Sequence, residues 1–275
     1  MTRKHHPSLI DSVYDSGRFP LSGGGPLPLL GNPNHIELIQ HLRQLSQDLE
    51  APKQILVISA HWEASVVQIT HHSNPPLLYD YYGFPEQSYH LDYPVPGAPA
   101  LAEVVQGQLR KQGIAAELEQ SRGLDHGVFV PLMLMYPNAD IPCIQVSLQQ
   151  SLDPLAHLQL GQALVSLDQE GLLILGSGFS FHNMQAFFRQ GAGIPDAKNL
   201  AFETWLKETL NNRDFSETER WERLRNWERA PNARYCRPRE EHLLPLLVCY
   251  GAAQRPCKRV DTVTVLGKQA SFFIW

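Results

Sequence analysis

The chain has 275 residues, 43% of them hydrophobic and 19% charged, which supplies apolar material for a sizeable core without the bias of a disordered segment. Its formal charge of −5, with no Lys/Arg cluster interleaved with aromatics, argues against a nucleic-acid partner. The longest apolar runs, such as residues 243–253, fall short of the ~20 residues of a membrane span, and MTRKHHPSLIDS lacks the apolar stretch of a secretory signal. A cytoplasmic protein with no membrane partner is therefore expected.

In chain order, LSGGGPLPLLG (21–31) comes first. A phosphate loop would need GxGxxG opening a helix, or a following Lys and Ser/Thr, and this stretch has neither. Its glycines and prolines instead predict a tight turn whose backbone approaches a ligand closely, with Gly23 and Gly24 as candidates for that contact.

HIELIQHLRQLSQDLE (35–50) has helical spacing, whereas QILVISAHW (54–62) is a short β-branched run expected as a strand buried on both faces. Residues 98–113 and 153–170 repeat the helical pattern, the latter opening with Asp153 as N-cap and Pro154 in the first turn. IPCIQVSL (141–148) and GLLILGSG (171–178) repeat the buried-strand pattern. Residues 199–212, 217–229 and 240–253 form a later helical block. The tail at 260–275 alternates like edge strands, and its ASFFIW end suggests pairing with a second copy, a homo-oligomer.

Strands alternating with amphipathic helices imply a mostly parallel central sheet covered on both faces. The expected fold is α/β, a single three-layer αβα domain over residues 1–275. Four cysteines, Cys143, Cys236, Cys249 and Cys257, form no CxxC pair and are expected as buried thiols.

In such sheets ligands sit beyond the carboxyl ends of the strands, and histidines collect there. His61 follows one strand and His182 another, His126 lies in a loop before an apolar run, and His242 opens a helix behind Glu240 and Glu241. Each alone reads more readily as an ordinary packed or helix-start histidine than as a ligand. Four together suit iron, zinc or copper, with coordination positions left open for substrate. His5, His6, His71 and His72 read as surface residues. Tyr81, Tyr82, Phe84 and Phe179 are candidate walls for an aromatic ligand, and Arg122 and Arg234 are candidate partners for a carboxylate.

ILVISAHWE, YYGFPEQSYHLDYPVPGAP (81–99), RGLDHGVFVPLMLMYPNADIPCIQVSL (122–148), LILGSGFSFHN (173–183) and APNARYCRPREEHLLPLLVCYGAA (230–253) together resemble the class III extradiol ring-cleaving dioxygenases, in the DOPA 4,5-dioxygenase-like branch. The resemblance implies an αβα fold and a non-haem Fe(II) site, which zinc also occupies. It implies insertion of both atoms of O₂ into a small aromatic diol, a catechol, with cleavage of the ring bond beside the diol. Carried over residue by residue, it makes His61 and His242 metal ligands, His182 the acid/base histidine and His126 a substrate-side histidine. Beside these carried-over roles, Gly23, Gly24, Tyr82 and Phe179 are the residues expected to line the substrate pocket.

The family's third ligand is a histidine in a loop reading Ser-His-Gly-Gly-Gly-Pro. Here the loop reads Ser22, Gly23, Gly24, Gly25, Pro26, without the histidine. That departure motivates two alternatives: a catalytically silent homologue, or a zinc hydrolase that uses the same histidines to activate water.

Overall fold

The computed structural model describes residues 8–13, 25–167, 169–189 and 195–275. Eight strands among these form one sheet: β1 (Ser8–Val13), β2 (Gln54–Ala64), β3 (Val67–Thr70), β4 (Ala116–Glu119), β5 (Cys143–Gln149), β6 (Leu172–Gly178), β7 (Arg259–Val265) and β8 (Lys268–Ile274). Their order is β4-β3-β5-β2-β6-β1-β8-β7. β2 pairs in parallel with β5 and β6, β1 with β6, and β3 with β4, so the mostly parallel sheet expected from the sequence is present.

β2 and β6 lie at its centre and are the most continuously apolar strands. Ile55–Ile58 and Leu172–Leu175 are at most 2% exposed, as a strand with helices on both faces requires. β3 and β4, four residues each, carry too short a pattern to be read from the sequence.

The helices are α1 (Ile36–Asp48), α2 (Pro99–Lys111), α3 (His126–Met135), α4 (Pro154–Leu164), α5 (Met184–Arg189), α6 (Ala197–Asn211), α7 (Glu217–Arg225), α8 (Ala233–Cys236) and α9 (Leu244–Ala253). α1 and α3 pack together, with α3 over β2 and β6. α2, α4 and α9 form a second group, with α9 over β6, β1 and β2. The α4–α9 crossing is close because a Cβ on Gly161 would stand 2.0 Å from the Val248 carbonyl oxygen, and one on Gly251 2.2 Å from that of Leu158.

Several expectations are corrected. The helix expected over 153–170 stops at Leu164, although the apolar rhythm runs on to the buried Leu167. The tail strand β8 is not an edge: it lies between β1 and β7, with Phe272 and Phe273 fully buried. ASFFIW therefore offers no free strand to a second copy. All four cysteines are buried, as expected.

Candidate active site

β2 carries His61 to the carboxyl end of the sheet. Its register against β5 shifts between Ile58 and Glu63, so His61 sits within a strand irregularity instead of after the strand as expected. The His61 N–H donates to Ser59 Oγ (3.2 Å), and that hydroxyl donates to Asp125 Oδ1 (2.7 Å). Arg122 donates to the His61 carbonyl (3.3 Å) and to Asp125 Oδ2 (3.4 Å), while its guanidinium lies 4.9 Å from the Trp62 ring centre.

Asp125 is buried, and burial pushes its carboxyl pKa up, with Asp80 adding to the effect. It accepts from Gln145 as well, so the group that supports the His61 segment is fully occupied.

His126 is the first residue of α3, not part of a loop. α3 starts there because Gly127 lets the helix lie against β2. A Cβ at Gly127 would meet Ser59 Oγ at 2.4 Å and His61 Cδ2 at 2.8 Å. His126 Nδ1 lies 2.5 Å from Asp80 Oδ1, and the same oxygen accepts the His126 backbone N–H at 3.1 Å. Burial would raise the Asp80 pKa, but the His126 imidazole and its hydrogen bonds prevail and hold this carboxyl well below the usual carboxylate range.

His182 follows β6 by four residues, its N–H bound to the Cys236 carbonyl (2.8 Å). His242 precedes α9 by two residues and does not open the helix as expected. Gly178, the last residue of β6, admits the His242 backbone: a Cβ there would be 2.3 Å from the His242 carbonyl oxygen. Buried Arg237 donates to that oxygen (2.9 Å). The segment is clamped to β2 by Arg239, which donates to both Glu63 oxygens at 2.6 and 2.7 Å.

These elements bring the four histidines singled out from the sequence into one row. Ring centres are 4.2 Å apart for His126 and His61, 4.9 Å for His61 and His242, and 3.7 Å for the stacked His242 and His182. A carboxylate stands at each end: Asp80 on His126, and Glu241 Oε1 3.2 Å from His182 Nδ1. Burial would raise the Glu241 carboxyl, but the His182 and Arg237 charges outweigh it and hold the pKa at about 2.

The donor atoms of His61, Asp80 and His126 lie within 4.8 Å of one another, as do those of His182, Glu241 and His242. Burial, with its cationic and imidazole neighbours, holds the His242 pKa well below its ordinary value, and its buried Nδ1 makes no hydrogen bond among the described residues. A neutral buried imidazole with an unsatisfied nitrogen is a metal-ligating form, so the donor set fits a divalent transition metal.

The remaining candidates fall less simply. Gly23, Gly24 and Ser22 lie outside the described residues, as do His5 and His6. Gly25 is described, at φ +41° against the Phe84 ring. Tyr82 is 55% exposed and Phe179 1% exposed, packed against Phe187. Tyr81 stands edge-on 5.6 Å from His126. Arg234 is paired with Glu228 and Glu240. The sequence reading missed Asp80 and Asp125, because their partners are remote in the chain.

Comparison with known proteins gives consistent findings. The family described as "Catalytic LigB subunit of aromatic ring-opening dioxygenase" matches residues 28–268. The chain is 38% identical to "Dioxygenase tasH" of Hapsidospora irregularis, over 92% of this chain and 83% of that protein. It is 43% identical to a "4,5-DOPA dioxygenase extradiol" of Beta vulgaris, over 74% of each. The crystal structure of the uncharacterized protein JW3007 from Escherichia coli K12 superposes with a TM-score of 0.75 at 24% identity, covering 98% of this chain and 99% of that one, which supports the fold.

Proposed function

This chain belongs to the family of the catalytic LigB subunit of aromatic ring-opening dioxygenase and is an extradiol ring-cleaving dioxygenase, and from that premise we propose that its four-histidine row is the catalytic centre acting on a DOPA-like catechol. The family is metal-dependent and takes an aromatic substrate and O₂. Neither the silent homologue nor the zinc hydrolase is favoured by these relatives. One observation carries the reading: four imidazoles from distant chain segments stand in contact at the carboxyl ends of β2 and β6, flanked by two ionised carboxylates.

His61 and His242 would hold the metal, iron(II) for turnover, with zinc(II) suited to the same donors. When bound, iron supplies Lewis acidity toward the diol and an electron path between ring and oxygen. The chain's own residues supply the rest. His182, its Nδ1 held by Glu241, takes the proton of the second phenol and returns it as the ring opens. His126 hydrogen-bonds the substrate through Nε2, which accepts from the diol hydroxyl. Tyr81 forms an aromatic wall beside it. Both atoms of O₂ enter the product and the carbon–carbon bond beside the diol breaks, so no external reductant is needed.

The test is oxygen uptake after anaerobic loading with Fe(II), on catechols including DOPA, with the visible absorbance of the ring-opened product followed alongside. The expected result is uptake matched one-to-one by product. Loaded iron with no uptake on any catechol would refute the substrate reading. His182→Ala should keep its metal and lose turnover, whereas His61→Ala or His242→Ala should lose the metal itself. A His61→Ala protein with wild-type metal content would remove that residue from the ligand set.

A further inference from the structure

Asp80 lies outside every motif that marked the histidines, yet its carboxylate Oδ1 lies 2.5 Å from His126 Nδ1. The loop that presents it is built rigidly. Leu78 N–H donates to the Leu124 carbonyl and Leu124 N–H to that of Pro76, each at 2.8 Å. Gly123 makes that approach feasible, since a Cβ there would stand 2.6 Å from the Pro76 oxygen. The flanking Tyr79 and Tyr81 each donate a hydroxyl to a backbone carbonyl at 2.6 Å, to Leu91 and Ser88. Between these anchors the Asp80 carboxylate has little freedom to point elsewhere.

A single oxygen, Oδ1, takes both the ring Nδ1 and the backbone N–H of His126, closing a chelate that fixes the imidazole relative to its own backbone. The ring is further held between His61 and Tyr81. A carboxylate that only accepts hydrogen bonds demands a proton on Nδ1, which leaves Nε2 as the nitrogen turned away from Asp80. Asp125, the residue before α3, makes no capping bond with its side chain, so Asp80 also supplies the negative charge at the start of that helix.

We propose that Asp80 is a positioning residue for the ring-opening reaction: by keeping the proton of His126 on Nδ1, it presents Nε2 to the substrate oxygen. This rests on the substrate-side role given to His126 above. A helix cap alone would affect stability only, so the test reads the imidazole directly.

In metal-free protein labelled with ¹⁵N-histidine, long-range ¹⁵N–¹H spectra should show His126 protonated on Nδ1, and Asp80→Ala should shift neutral His126 toward the Nε2–H tautomer. Asp80→Leu, which keeps the branched shape and offers no acceptor, serves if the alanine variant does not fold. A neutral His126 carrying its proton on Nε2 in the wild type, or a spectrum unmoved by either substitution, would overturn the proposal. In the iron-loaded enzyme, Asp80→Ala should lower kcat roughly 10–100-fold, the range for lost partners of site histidines, with metal content unchanged and KM moved less. Combined with His126→Gln it should add little to the loss caused by that change alone. Fully additive losses would refute action through His126. A His126→Gln enzyme at wild-type kcat would instead strike the role of His126 itself.

Discussion

Gly127→Ala is the sharpest probe of how α3 and β2 share the site. The added methyl would arrive 2.4 Å from Ser59 Oγ, 2.8 Å from His61 Cδ2 and 3.1 Å from Asp125 Oδ1. None of these is the loose end of a flexible chain: Ser59 and Asp125 are fully buried and bonded to each other, and His61 is tied through its backbone to Ser59 and Arg122. Forcing extra volume into such packing costs about 1–3 kcal/mol. For a chain of this size that corresponds to a fall in Tm of roughly 2–6 °C. The larger consequence falls on function. The cheapest relief is a displacement of the His61 ring or of the α3 start, and both carry members of the histidine row. Metal affinity should therefore drop about tenfold or more, comparable to losing a supporting group of a metal ligand. The assay is thermal unfolding of the metal-free protein together with equilibrium dialysis against zinc. A Tm within about 1 °C of wild type and an unchanged affinity would refute the argument that this glycine is dictated by contact with His61.

Two further outcomes follow from the site. Inserting a histidine between Ser22 and Gly23 restores the loop pattern of the resembling family and should tighten metal binding about tenfold or more in the same dialysis; equal affinity would show that the chain already completes its ligand set. The His242 pKa is depressed below the ordinary 6.5, so the unfolded chain binds the proton that the folded one refuses. Stability of the metal-free protein should then be full above about pH 6.5 and decline as the pH falls below it, by up to about 1.4 kcal/mol per unit. Urea unfolding between pH 7.5 and 5.5 measures this slope, and His242→Gln should flatten it; an identical slope in the variant would refute the assignment.

How much of this was legible in the sequence depends on the range of the interactions involved. β2, β5 and β6 announce themselves because burial on both faces demands unbroken apolar runs, and His61 and His182 are conspicuous as polar residues where those runs end. His126 was seen, but its place as the first residue of α3 was not, because the apolar stretch Val128–Met135 is buried on all sides and shows no helical periodicity. Asp80 was invisible for a different reason. Its pairing with His126 spans 46 residues and is created by the loop bonds between Pro76, Leu78 and Leu124, which no local spacing encodes. β8 misled because its alternation looks like a half-exposed edge, whereas β1 pairs along its second edge and α6 packs against it, contacts that no local spacing encodes.

The Glu63–Arg239 clamp bears on the order in which the molecule is made. It joins positions 176 residues apart, and the two proposed metal ligands, His61 and His242, sit just outside those positions. Until the last third of the chain has emerged from the ribosome and docked, His61 faces a half-built end of the sheet with no His242 to meet it. The clamp therefore makes metal acquisition a late event, one that reports completion of the fold. A chain arrested before Arg239 should hold at most the His61 side of the site, and a metal ion added during synthesis should find its full binding partner only after release.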